Sequence, residues 1–173
     1  MIGAMSAVTT VIAIGDTHLP RFGRTLPAPL VAALAGADRI FHAGDITEPF
    51  VLDALAAHAP IDAVAGNNDP PELRARLGLT KVVEIGGLRI GLTHGHDGPG
   101  RTTPERAWRQ FAAVTPAVHA IVFGHSHQPL IERRAGTWLL NPGSPIDRRR
   151  QPTFSFLRLS IADGKLIPEL VTF

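Results

Sequence analysis

Hydrophobic residues are spaced in two different ways along this chain, and the spacing changes near residue 79. Before that point, short apolar runs alternate with stretches in which apolar residues recur every three or four positions. The short runs are typical of strands, and the recurrent spacing is typical of amphipathic helices. The pattern predicts strands at 8–14, 39–43 and 61–65, and helices at 26–37, 48–58 and 70–79. Such alternation indicates parallel strands joined by right-handed crossovers.

After residue 79, paired strands dominate the pattern. Three pairs of apolar runs flank short turns that contain glycine, which is typical of β-hairpins. The hairpins are predicted at 81–93, 130–140 and 154–171, with a helix at 103–114 and a strand at 120–123. A β–α first half and a β-rich second half predict an α/β protein in which two sheets pack face to face with helices outside.

The composition indicates one domain. The chain has 173 residues, of which 45% are hydrophobic, enough for one buried core and too few for two domains of usual size. We expect a flexible leader over residues 1–7 and a single domain over residues 8–173. The apolar runs fall short of the roughly 20 residues of a membrane-spanning helix, and the N-terminus lacks the pattern of an export signal. A cytoplasmic protein without a membrane partner is therefore expected.

The net charge and the absence of cysteine limit the ligands that this chain is expected to bind and the residues that could bind a metal. A formal net charge of +2 is weak support for nucleic-acid binding, which leaves a nuclease as a less favoured alternative. The chain has no cysteine, so disulfides and thiolate metal sites are ruled out. Any metal must be bound by histidine, aspartate, glutamate or asparagine.

Polar side chains of these types follow five of the predicted strands, each near a glycine. Because the carboxyl ends of parallel strands meet at one edge of a sheet, we expect these side chains to lie together. Each has a local explanation as a helix cap, a turn former or a polar loop residue, but their joint placement indicates a site. They are Asp16, His18, Asp45, Asn67, His94, His96, His125 and His127.

Nitrogen and oxygen donors without sulfur suit divalent metals, and their number is enough for two ions with at least three protein ligands each. Two neighbouring ions need a bridging anion, and a carboxylate can give one oxygen to each. We expect Asp45 to be the bridge, because it stands alone at its strand end between the other pairs. Asp16 and His18 are two positions apart, so on an extended segment their side chains would point the same way.

The motif series GDTH, GDI, GNND, HGH and GHSH resembles the calcineurin-like metallophosphoesterases. The short length and a late NPGS motif look like their small prokaryotic phosphodiesterase branch, with the retromer metallophosphoesterase-like subunit as a distant relative. The resemblance implies a four-layer αββα sandwich with the site at the strand ends. It also implies a di-metal phosphodiesterase, in which a hydroxide that bridges the metals attacks phosphorus in line with the leaving group.

The resemblance also implies a role for each matched residue. One metal would be bound by Asp16, His18, Asp45 and His127, and the other by Asp45, Asn67, His94 and His125. The implied catalytic residues are Asp45, Asn67, His94 and His96. His96 either touches substrate or hydrogen-bonds behind the ligands. Manganese is the expected metal, with iron, zinc, nickel or cobalt as alternatives.

One residue departs from the family pattern. Larger members have histidine in a GNHD motif where this chain has Asn68, and asparagine cannot act as a general acid. We therefore expect a preference for diesters with good leaving groups, or a leaving oxygen assisted by coordinated water or by His96. Asn68 also favours the main alternative, a protein-binding scaffold that keeps the fold without catalysis. The complete set of ligand types favours an enzyme that acts on a small phosphodiester or phosphoester, and a homo-oligomer is an open alternative.

Several neighbouring residues are expected to support the site. His42 lies on a buried strand and is expected to be a hydrogen-bonded core residue, and Asp69 is expected to hydrogen-bond behind the ligands. The NPGS motif at 141–144 indicates either a plain turn or part of the pocket wall. Substrate choice is expected to come from the loops at 20–25, 97–103 and 148–152.

Overall fold

The apolar run that ends at Ile14 becomes the central strand of one five-stranded sheet, and a second five-stranded sheet packs against it. The computed structural model describes residues 7–173, so the predicted leader at 1–7 lies outside the described residues except for Ala7. The strands are β1 (Thr9–Ile14), β2 (Arg39–His42), β3 (Ile61–Ala63), β4 (Thr80–Ile85), β5 (Leu88–Thr93), β6 (Ala120–Val122), β7 (Leu130–Arg134), β8 (Thr137–Asn141), β9 (Ser155–Ala162) and β10 (Lys165–Thr172). The helices are α1 (Ala28–Leu34), α2 (Pro49–Ala56), α3 (Pro71–Leu77) and α4 (Thr103–Phe111).

Both sheets are mixed. The first has the order β10-β9-β1-β2-β3, with β1, β2 and β3 parallel, β9 antiparallel to β1, and β10 antiparallel to β9. The second has the order β4-β5-β6-β8-β7, with β5, β6 and β8 parallel and β4 and β7 as antiparallel edges. The predicted change from parallel units to hairpins is confirmed, and the central parallel strands of both sheets end at the same side of the molecule.

Three apolar layers hold the two sheets and the helices together. Side chains alternate across a strand, so Ile12 and Ile14 face the helices while Val11 and Ala13 face the second sheet. One layer lies between the first sheet and helices α1, α2 and α3, one between the sheets, and one between the second sheet and α4. This order of helices, sheet, sheet and helix confirms the predicted αββα sandwich. The division into a leader and one domain stays a prediction.

The helices are shorter than the spacing of apolar residues predicted. Each begins with a proline at one of its first two positions, where the missing N–H costs no hydrogen bond. In α4, Thr102 and Glu105 form a capping box that satisfies two backbone N–H groups at the helix start. No helix among residues 7–173 has the length and hydrophobicity needed to cross a bilayer.

A charged cluster joins the edges of the two sheets. Asp62 on β3 lies 2.6 Å from Nη2 of Arg39 and 2.5 Å from Nζ of Lys81, which belongs to β4 of the other sheet. Burial opposes the ionisation of Asp62, but hydrogen bonds from Lys81 and Arg39 outweigh it and hold its pKa below its usual range. The carboxylate therefore stays charged and links the sheets.

Candidate metal centre

The predicted side chains meet at the edge where the parallel strands of both sheets end. Each follows its strand directly or within a short loop, so the strand order decides which side chains become neighbours. Asp16 and His18 follow β1, Asp45 follows β2, Asn67 follows β3, His94 and His96 follow β5, and His125 and His127 follow β6.

Five of these residues have a left-handed backbone, with φ of 53° at Asp16, 46° at His18, 57° at Asp45, 67° at His125 and 57° at His127. Side chains other than glycine adopt this region at a cost of order 1–3 kcal/mol, and such strain clusters at functional sites. The expectation that Asp16 and His18 meet on an extended segment is wrong, because β1 ends at Ile14. Turns at both residues bring the two side chains together instead.

Two glycines let the buried carboxylates approach the backbone. A Cβ at Gly66 would lie 2.2 Å from Oδ1 of Asp45, and a Cβ at Gly124 would lie 2.7 Å from Oδ2 of Asp16. Both distances are shorter than atoms can tolerate, so only glycine leaves room for each carboxylate.

The first ligand cluster consists of Asp16, His18 and His127, all buried. Oδ1 of Asp16 lies 3.3 Å from Nε2 of His127 and 3.9 Å from Nε2 of His18. The two imidazole rings stack with centroids 5.3 Å apart. Both Nε2 atoms are buried and have no hydrogen-bond partner.

The second cluster consists of Asp16, Asp45 and His94, so it shares Asp16 with the first, and Asp45 also reaches a histidine of the first. Oδ2 of Asp45 lies 3.4 Å from Nε2 of His18 and 3.3 Å from Nε2 of His94. On the far side, Oδ1 of Asn67 lies 3.1 Å from Nε2 of His94 and 3.0 Å from Nδ1 of His125. The structure thus brings all seven predicted ligands together, with Asp45 between the two groups.

Asp69 fixes the loop that carries Asp45. Its buried carboxylate accepts hydrogen bonds from the backbone N–H groups of Asp45, Ile46, Thr47 and Gly66, at 2.7 to 3.0 Å. The predicted hydrogen-bonding role of Asp69 behind the ligands is confirmed, and this one side chain also links the loop after β2 to the loop after β3. Asn68 completes the arrangement, because its side-chain amide donates to Oδ2 of Asp45 at 2.6 Å and its backbone N–H donates to Oδ1 at 2.8 Å.

Backbone carbonyl groups orient two of the histidines. Nδ1 of His94 donates to the carbonyl of Ala43 at 2.7 Å, and Nδ1 of His127 donates to the carbonyl of Asp147. Each bond leaves Nε2 of the same ring facing the carboxylates. Asp147 was missed by sequence reasoning, because a carbonyl group carries no residue-type signal; its position three residues after the NPGS motif was the available hint.

The NPGS motif hydrogen-bonds to the backbone of the loops that carry the candidate ligands. His42, in the core, has a hydrogen-bond partner at each ring nitrogen. The amide of Asn141 donates to the carbonyl of Gly124 at 2.9 Å, and the hydroxyl of Ser144 donates to the carbonyl of Asp16 at 2.8 Å. Nδ1 of His42 accepts from the N–H of Gly44, and its Nε2 lies 3.1 Å from the hydroxyl of Thr17. Burial lowers the pKa of His42 to about 4, so the ring is neutral, as expected of a core histidine.

The family assignment agrees with this geometry. The sequence profile of the calcineurin-like phosphoesterase superfamily domain matches residues 10–164, which include every candidate ligand. The chain belongs to the calcineurin-like phosphoesterase superfamily. A probable metallophosphoesterase of Methanothermobacter thermautotrophicus is 33% identical over 160 residues, which cover 91% of this chain and 89% of the relative.

Two further similar proteins support the assignment. A probable metallophosphoesterase of Methanocaldococcus jannaschii is 34% identical over 158 residues, covering 90% of this chain and 79% of the relative. Among solved structures, wild-type Vps29 of Entamoeba histolytica, determined with zinc, is 25% identical with a TM-score of 0.71. That comparison covers 95% of this chain and 99% of Vps29.

The carboxylates of the candidate metal centre shift the pKa values of the groups around them. Burial opposes ionisation of Asp45, but the neighbouring His94 ring and two hydrogen bonds from Asn68 outweigh it and hold its pKa below the usual range. Burial likewise opposes protonation of His94 and His127, but their carboxylate neighbours, Asp45 and Asp16, raise the pKa of each ring. At His18 burial dominates, and the pKa is lowered.

These residues fit divalent metal ions. Donor atoms held about 2.1 Å from one ion lie roughly 3.0–3.4 Å apart at octahedral or tetrahedral angles. The distances of 3.3 Å from Asp16 to His127 and from Asp45 to His94 agree with that spacing. Buried nitrogens without partners are rare in folded proteins, and a metal ion would satisfy those of His18 and His127. Family membership implies divalent metals, and the clusters supply the donors.

His96 lies at the rim of the site. Its ring centroid is 5.2 Å from that of His94 and 6.2 Å from that of His125. Its Nδ1 is buried without a hydrogen-bond partner, and the residue is half-buried. Burial and the neighbouring His94 lower the pKa of His96, so the ring is neutral near pH 7.

Proposed function

We propose that this calcineurin-like phosphoesterase is a phosphodiesterase that works with two divalent metal ions, manganese being the expected metal. The observation that carries the proposal is the pair of buried Nε2 atoms on His18 and His127, which face Asp16 without a hydrogen bond. A cluster that served folding alone would satisfy these nitrogens, because leaving a buried polar atom unpaired costs about 1–3 kcal/mol.

In this proposal the two clusters hold one ion each and share Asp45. The first ion is assigned to Asp16, His18, Asp45 and His127, and the second to Asp45, Asn67, His94 and His125. When bound, two such ions lower the pKa of a water molecule and offset negative charge on the phosphate oxygens.

The protein's part is to hold the donor atoms in place. Asp69 keeps the Asp45 loop against the next loop through four backbone hydrogen bonds. The carbonyl groups of Ala43 and Asp147 keep the protons of His94 and His127 on Nδ1, which leaves Nε2 to bind. Because the donor atoms are already ordered, binding of a charged ligand requires little reorganisation of the site and therefore costs less free energy.

The leaving group must be assisted differently from that of larger relatives. The amide of Asn68 is committed to Asp45, so this residue positions a ligand and cannot protonate an alkoxide. His96 is the remaining candidate, because its half-buried ring lies beside the rings of the candidate ligands His94 and His125. We assign His96 to a hydrogen bond with a substrate oxygen, and we expect diesters with good leaving groups to be preferred.

The test is hydrolysis of bis(p-nitrophenyl) phosphate by protein stripped with a chelator, with and without added manganese. Wild type should regain turnover with the metal, and Asp45→Asn, which changes the shared ligand itself, should lose more than the roughly 10–100-fold that loss of a residue behind the ligands costs. Asp53→Asn, an exposed carboxylate on α2, is the matched control and should keep full activity. Parallel assays with p-nitrophenyl phosphate separate a diesterase from a monoesterase.

If folded protein showed no turnover with any divalent metal, the proposed phosphodiesterase activity would be refuted and the protein-binding scaffold would be favoured. A rate on alkyl diesters equal to the rate on nitrophenyl diesters would contradict the assignment of leaving-group assistance. A cytoplasmic location, a small substrate and a homo-oligomer stay predictions.

A further inference from the structure

The loop after His18 places an aromatic ring beside the candidate metal centre. The backbone N–H groups of Arg21 and Phe22 both donate to the carbonyl of His18, at 2.9 and 3.3 Å, so this loop is fastened to a candidate ligand. The Phe22 ring contacts the His18 ring edge-on, with centroids 5.9 Å apart and an interplanar angle of 86°. Phe22 is nevertheless 49% exposed, which is unusual for a phenylalanine held this firmly.

Phe22 forms one wall of an apolar cleft of about 420 Å³. The same cleft is lined by residues that flank the start of β9, the end of β10 and the loop after the NPGS motif. These include Pro145, Ile146, Phe154 and Phe173. β9 runs antiparallel to β1, so its start lies at the edge where β1 ends and where the candidate ligands meet. Asp147, whose carbonyl orients His127, follows Ile146 directly, so the cleft and the candidate metal centre are built from neighbouring residues at Ile146–Asp147 and at His18–Phe22.

Cationic side chains surround the aromatic rings of this cleft. The guanidinium of Arg21 lies 5.1 Å from the centroid of Phe22, and that of Arg148 lies 5.6 Å from the centroid of Phe154. Arg24 also lines the cleft and is exposed. An apolar floor with arginines at the rim is complementary to an aromatic group attached to an anion.

We propose that this cleft is a subsite for an aromatic substituent of the phosphodiester substrate, with Phe22 as the residue that selects it. The inference rests on the proposed function, because the adjoining phosphate would occupy the metal centre beside His18. An aromatic group is preferred over an alkyl chain, because the flat ring of Phe22 gains an offset or edge-on contact that an alkyl group cannot offer. The cleft is also within the volume range of small-molecule sites, about 300–1,000 Å³.

The experiment measures binding instead of turnover. Manganese-loaded protein is titrated with phenylphosphonate and with methylphosphonate by calorimetry, since both present the same anion and only one carries a ring. Wild type should bind phenylphosphonate about tenfold more tightly. Phe22→Ala should reduce this ratio to about two or less, and Phe22→Tyr, which keeps the ring, should retain it. Ile167→Ala removes an exposed apolar side chain on β10, paired opposite Ser160 and away from the site edge, and should leave the ratio unchanged.

Equal affinities in wild type, or a preference that survives in Phe22→Ala, would overturn the subsite. Self-association that is lost in Phe22→Ala, together with equal phosphonate affinities, would assign the cleft to a second copy of the chain and would also overturn it. Failure of the proposed function shows separately, as absent turnover of bis(p-nitrophenyl) phosphate with every divalent metal. The phosphonate ratio is measured in the same protein whether or not that turnover is present.

Discussion

Asp69→Asn tests whether one carboxylate holds the metal-binding loops together. The substitution keeps the size of the side chain and removes its charge and one acceptor oxygen. In the native protein Oδ1 accepts from the N–H groups of Ile46 and Thr47, and Oδ2 accepts from those of Asp45 and Gly66. Asparagine can serve one of these pairs with its oxygen, but its NH₂ group then faces the other pair of donors.

The expected loss follows from this count. Two hydrogen bonds to a charged acceptor disappear, and each is worth about 1.5–3 kcal/mol, so the free energy of unfolding should fall by about 3–6 kcal/mol. Asp69 is 2% exposed, so water cannot replace the lost acceptor without opening the loops. Since domains are stable by only about 5–15 kcal/mol, the variant should be close to unfolding.

Urea denaturation followed by circular dichroism gives the free energy of unfolding of wild type and variant. Asp53→Asn, which changes an exposed carboxylate on α2, is the control and should stay within about 0.5 kcal/mol of wild type. A loss of less than about 1 kcal/mol in Asp69→Asn would refute the reasoning, because it would mean that the four backbone donors find other partners.

Three further predictions address the sheet edges, the close approach of a glycine and the metals. Asp62→Asn should lower the free energy of unfolding by only about 1 kcal/mol at pH 7, because the two cationic partners of Asp62 are partly exposed. Since the folded pKa of Asp62 is lowered, this difference should shrink as the pH falls below about 4. An equal difference in urea titrations at pH 7 and pH 3 would contradict the prediction. Gly66→Ala should lower the free energy of unfolding by at least about 2 kcal/mol, because the added Cβ would clash with Asp45. The control Gly36→Ala places no atom within 4 Å of the added Cβ and should not lower the free energy of unfolding. Thermal denaturation compares the two variants. Manganese at 100 times its dissociation constant for wild type should stabilise wild type by about 2.7 kcal/mol. At the same manganese concentration, His127→Ala should be stabilised less. Equal stabilisation of both proteins would show that His127 is not a metal ligand.

Much of the fold could be predicted from residue spacing. Alternation of side chains across β1 and the three-to-four spacing in α2 follow from backbone geometry, so the pattern alone indicated the elements and their faces. Helix ends were less predictable, because a proline marks where each helix begins whereas packing decides where its last turn stops. The candidate ligands were predictable for a chemical reason, since only a few residue types donate to metals and each stands at a strand end beside glycine.

What the sequence by itself determined is the set of elements, their apolar faces and the types of donor atoms. Tertiary structure alone decided how those atoms meet: the left-handed turns at Asp16 and His18, the carbonyl groups that orient His94 and His127, and the cleft beside Phe22. Each depends on segments far apart in the chain. Because every residue has the same backbone carbonyl group, residue type does not reveal which carbonyl accepts a hydrogen bond from a histidine. Local spacing reports which face a side chain takes, whereas contacts between strand ends exist only once both sheets have formed.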